Sequence, residues 1–85
     1  MNKLLIAAVF AFAPLAANAM PAVGDMVGMD PAQAKAALEK AGCLEPDFEA
    51  EDGRIEAKCH DADMKRWEVY IDPATGKVVK VKAND

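Results

Sequence analysis

Asp52-Gly53, set between two runs of alternating polarity, constrains this chain more than any other feature. Both residue types tolerate left-handed backbone, which the tight turn joining two antiparallel strands requires. Two strands are thereby predicted, over about 44–51 and 54–60, and the turn sets their register. Glu51 faces Arg54, Ala50 faces Ile55, Phe48 faces Ala57 and Pro46 faces Cys59. The last three pairs lie on one side, and a slip of one residue would turn them all to solvent.

A helix precedes this hairpin. Asp30 is an N-cap residue, Pro31 suits the first helical position, and Gln33 is placed to complete a capping box. Ala34, Ala37, Leu38 and Ala41 recur at spacings of three and four, and Gly42 is free to take the left-handed conformation that ends a helix. A third strand over about 66–72 turns Trp67, Val69 and Ile71 inward, and a fourth over about 77–82 offers Val79 and Val81. A three-residue loop, Ala74-Thr75-Gly76, places Val79 opposite Ile71 and Val81 opposite Val69, whereas a four-residue loop from Pro73 would push both valines outward. The three-residue loop is the expectation. The predicted class is α+β, with one N-terminal helix packed on a four-stranded antiparallel meander.

Lys3 is followed by 14 apolar residues, Leu4 to Ala17, and then by Ala17-Asn18-Ala19. The run is short of the ~20 residues that cross a bilayer and reads as a signal peptide cleaved after Ala19. Residues 1–19 are assigned to that peptide, residues 20–29 to a flexible leader with no helical or alternating pattern, and residues 30–85 to one domain. A bacterial periplasmic or secreted location follows, with no stable membrane anchor after cleavage. Removing 19 of the 85 residues leaves 66, and loss of Lys3 takes the net charge from −4 to −5. So small a chain barely offsets its conformational entropy by burial, so a covalent staple is expected. Cys43 and Cys59 provide one in an oxidising compartment. Strict alternation would aim Cys43 outward and Cys59 inward, so the pairing requires residue 43 to belong to an irregular connection after Gly42.

The segments now described resemble those of a PepSY domain: the helix ending in Ala41-Gly42, the turn at Asp52-Gly53, and the run Trp67-Glu68-Val69-Tyr70-Ile71-Asp72-Pro73-Ala74-Thr75-Gly76-Lys77-Val78-Val79. The resemblance covers about residues 30–82. It implies a non-catalytic module of one helix on an antiparallel sheet, of the kind found in propeptides of secreted metallopeptidases and in stand-alone exported proteins, that binds or restrains peptidases. Cys43, Cys59 and the absence of a following peptidase domain depart from the usual pattern.

Function classes narrow accordingly. Acidic charge argues against nucleic acid and favours a basic target. There is no Ser, and Thr75 is the only Thr. Cys59-His60 cannot act as nucleophile and base, because neighbours in a strand point to opposite faces. No cofactor is called for. Asp61-Ala62-Asp63 opens like a calcium loop, but Lys65 occupies the next ligand position. The expected function is capture of an envelope protein, with a peptidase as the leading class of partner. The side of the sheet opposite the helix collects Asp47, Glu49, Glu51, Arg54, Glu56, Lys58, His60, Arg66, Glu68, Tyr70, Lys80 and Lys82. On it, Tyr70, His60 and Glu68 are the candidate contacts, and the Tyr70 ring reads either as covering the stems of its neighbours or as an exposed aromatic anchor for recognition. The alternative is a small periplasmic protein binding copper or zinc through Met20, Met26, Met29, Met64, Cys43, Cys59 and His60.

Overall fold

The computed structural model of the protein describes residues 20–84, and the assigned signal peptide lies outside them. Helix α1 spans Pro31–Lys40, and four strands follow, β1 (Leu44–Glu51), β2 (Arg54–His60), β3 (Arg66–Asp72) and β4 (Lys77–Ala83). They form one antiparallel sheet in the order β1-β2-β3-β4.

The termini of α1 follow from local chemistry. The Asp30 carboxylate accepts from the Gln33 N–H at 3.2 Å, while the Gln33 side chain lies over Gly28. At the other end the Gly42 N–H donates to the Glu39 carbonyl and the Cys43 N–H to the Leu38 carbonyl. That pairing, with Gly42 at φ +108, is the left-handed helix stop expected of glycine. It also releases Cys43 from strand alternation: β1 starts at Leu44, and Cys43 joins Cys59 in a disulfide with a Cα–Cα distance of 5.3 Å.

Ala34, Leu38, Cys43, Ala57, Cys59, Val69, Ile71 and Val78 form the core, with Phe48, Ile55, Trp67 and Val81 packed against it. Two β-bulges alter the expected register. In β1 the predicted pairs from Glu51 to Phe48 hold, but Leu44 rather than Glu45 faces His60, so Pro46 is not simply paired with Cys59. Glu45 is left-handed there, at φ +50. In β4 the loop has four residues, with Asp72 facing Lys77 and Ile71 facing Val78. One residue is then absorbed before Tyr70–Lys80, which restores Val69 opposite Val81. The three-residue loop is therefore corrected. Val78 enters the core in place of Val79, which is exposed.

The segment expected as a leader, residues 20–29, lies beside β4. The Gly24 N–H donates to the Val78 carbonyl, the Val78 N–H to the Asp25 carbonyl, and the Val27 N–H to the Gly76 carbonyl. Val27 is buried in the core. The segment thus covers the first part of the outer edge of β4, and its extended path carries no period by which the sequence announces it.

Candidate functional site

Helix α1 and the core occupy one side of the sheet, so the other side carries the chemistry. Its centre is Tyr70, which faces Glu56 on β2 and Lys80 on β4, while Glu68 precedes it by two residues on the same side of β3. Tyr70 is only 7% exposed, so it is not the exposed ring of the anchor reading. Arg54 on β2 sits with its guanidinium carbon 4.8 Å from the ring centroid, and the Lys80 ammonium on β4 lies 5.4 Å from it. Both cations are attracted to the negative face of the ring and cover it.

Beneath these cations lies a short chain of oxygens. The Tyr70 hydroxyl is 2.9 Å from Glu68 Oε1 and 3.3 Å from Glu56 Oε2. A hydroxyl carries one proton, so donation to Glu68 leaves the contact with Glu56 to be satisfied by a proton resident on Glu56. Burial favours that arrangement, since Glu56 is 4% exposed. Desolvation first, then the neighbouring carboxylates Glu51 and Glu68, hold the Glu56 pKa above its ordinary 4.5. Burial also opposes ionisation of Glu68, but the hydrogen bond from Tyr70, the Lys82 ammonium at 3.7 Å, and contributions from Glu56 and Lys58 keep its carboxyl below the usual range. The phenol itself is pushed up to about 12, chiefly by its bond to Glu68. Glu56 thus holds its proton to higher pH than Glu68 does.

His60 stands apart, at the end of β2. Its Nε2 lies 3.2 Å from Glu45 Oε1 and its Nδ1 3.0 Å from the Asp61 carbonyl, and these acceptors, the carbonyl foremost, raise its pKa. With Asp47, Lys58 and Arg66 it borders a depression of about 230 Å³. Asp61 serves the adjoining turn. Its carboxylate accepts from Trp67 Nε1 and from the N–H groups of Asp63 and Lys65, which lower its pKa, and this gives Asp61 a structural part in the turn.

Of the three candidate contacts, Glu68 and Tyr70 therefore meet, and His60 belongs to a separate group. Glu56 is the residue that strand-by-strand reading missed. Registering β2 against β3 would have placed it directly opposite Tyr70. The metal-carrier reading loses Cys43 and Cys59 as donors to the disulfide. Among the described residues there is no free cysteine, no group of three His, Cys, Asp or Glu suited to a metal ion, and no helix long and apolar enough to cross a membrane.

Charge is graded across this side. Asp47, Glu49 and Glu51 on β1 are exposed and acidic, β2 and β3 are mixed, and Lys77, Lys80 and Lys82 line β4. A family model described as Peptidase propeptide and YPEB domain matches residues 3–82 of the chain. No curated protein and no solved structure matches it.

Proposed function

The chain belongs to the PepSY family of peptidase propeptide and YPEB domains, and from that premise we propose that it is an exported, non-catalytic module that captures another exported protein. PepSY domains are generally non-catalytic and often serve as peptidase-propeptide or inhibitor-like modules. A peptidase is accordingly the class of partner, and the polar side of the sheet is the surface that receives it. The observation that carries this reading is the uncovered sheet side itself. At its centre the side chains of Tyr70, Glu56 and Glu68 are held together by hydrogen bonds, with Lys82 beside Glu68, so they present an ordered charge pattern. Ordered charges of both signs select a partner and speed its encounter more than they tighten it.

Mixing the purified protein with a panel of exported metallopeptidases, and following cleavage of a peptide substrate, tests the proposal. Saturable slowing of one of them is expected, weakened about tenfold in Lys80→Glu/Lys82→Glu. Unchanged cleavage at every protein ratio, with no complex on a sizing column, would overturn it.

A further inference from the structure

The outer edges of the sheet are unequal. On β4, residues 24–28 take up backbone groups of Gly76 and Val78, with a bridge between Met26 and Lys77. On β1, among the described residues, no backbone hydrogen bond from outside the ladder reaches the strand. Asp52 and Gly53 are both left-handed, at φ +52 and +77, which makes the turn the tight two-residue type and Glu51–Arg54 a hydrogen-bonded pair. Alternation from that pair turns the N–H and C=O groups of Phe48 and Ala50 outward. Pro46 has no N–H and the bulge lies beside it, so the usable edge runs over residues 47–51.

That edge has two differently coloured flanks. On the polar side stand Asp47, Glu49 and Glu51, all exposed, with Lys58 as a distant counter-ion 3.9 Å from Glu49. On the helix side an apolar cleft of about 190 Å³ opens beneath the start of α1, with Phe48, Ile55 and Ile71 along the sheet and Pro31 and Ala34 on the helix. A strand added here would place alternate side chains against acids and against the cleft. We infer that this edge binds an extended polypeptide segment alternating Lys or Arg with Val, Ile or Leu, by strand addition along residues 47–51.

The inference rests on the reading of the chain as a protein-binding module and names the chemistry of what it holds. Charges at an edge also deter self-pairing, and an acidic row does both, repelling its own kind while admitting a cationic strand. A second copy is a poor occupant. Its Lys80-Val81-Lys82 alternates suitably, but Val81 is already packed on its own core and cannot enter another cleft. The segment must be free of such packing, as an exposed loop or terminus of a different protein is.

Fluorescence anisotropy with a labelled Lys-Val-Lys-Val-Lys peptide tests the inference, alongside the same peptide N-methylated at alternate residues. Saturable binding is expected, weaker in high salt, and reduced about tenfold by N-methylation, by Glu49→Lys, and by Ala50→Pro, which removes an N–H the ladder does not use. Circular dichroism checks that each variant folds, and the N-methyl comparison needs no variant. Equal binding of both peptides, indifference to Glu49→Lys, or self-association of the protein through β1 would overturn the inference. If the peptide fails to bind while a peptidase is still slowed, the edge assignment falls and the broader function stands.

Discussion

Glu56 and Glu68 reach the same hydroxyl, and their opposite pKa shifts, Glu56 up by burial and Glu68 down by the Tyr70 hydrogen bond and Lys82, make the centre of the polar side sensitive to pH. A carboxyl whose folded-state pKa is raised stabilises the fold fully below its unfolded value, and loses that contribution as pH climbs through the raised one. Glu56 therefore contributes stability that fades as pH rises above about 4.5. Glu68, held low, contributes in the opposite sense, and its share is lost as pH falls through its depressed pKa. Glu56→Gln keeps a donor for Tyr70 but cannot ionise. Urea unfolding of both proteins at several pH values should show the wild type losing ground to the variant as pH rises, and parallel curves would contradict the proton assignment. Tyr70→Phe removes the shared hydroxyl, leaves the buried Glu56 and the half-buried Glu68 without their link, and is expected to lower the melting temperature measurably. Tyr70→Ala would further uncover Arg54 and Lys80, so loss of capture in that variant would confound binding with folding. The sequence made Tyr70 and Glu68 visible as neighbours on one strand. It left Glu56 among a dozen polar residues, because burial on a nominally solvated side depends on what lies over a residue, here the Tyr70 ring and its cations.

Element boundaries were legible wherever a residue type forces the backbone. Asp30-Pro31 begins α1, Gly42 ends it, and Asp52-Gly53 turns β1 into β2 as read. The two bulges were not legible, for the same reason in each case. Leu44-Glu45-Pro46 and Val78-Val79 admit either phase, and a period-two pattern cannot say which residue is skipped. What decides β4 is the leader, whose Val27 enters the core and whose backbone crosses Gly76. A Cβ on Gly76 would stand 2.8 Å from the carbonyl carbon of Gly28, whereas one on Gly53 meets nothing within 4 Å, although their φ values, +76 and +77, are nearly equal. Left-handed backbone alone costs a non-glycine residue about 1–3 kcal/mol. Gly76→Ala should therefore destabilise clearly more than Gly53→Ala in thermal unfolding, and equal losses would mean that the crossing is not tight. At the helix, Asp30→Ala is expected to cost about 1 kcal/mol by the same measurement.

At the scale of the whole molecule, the described residues form a thin sheet with one helix over it, and the Cys43–Cys59 disulfide ties the helix end to the second strand. Cys43 and Cys59 are 16 residues apart, and closing a loop of that size stabilises by about 3 kcal/mol in the chain-entropy account. For a domain this small that is a large fraction of its net stability. Cys43→Ala/Cys59→Ala should shift the thermal midpoint down by more than ten degrees or so, and an unshifted midpoint would assign the stability to packing alone. With the core and disulfide committed to one side, the other side and the β1 edge remain for a partner. Hydrogen exchange on the protein alone, and in complex with a peptidase that it slows, probes that claim most directly. Slowed exchange at the Phe48 and Ala50 amides is expected on forming the complex, with α1 unchanged. Protection gained along α1 while residues 47–51 exchange as before would contradict it.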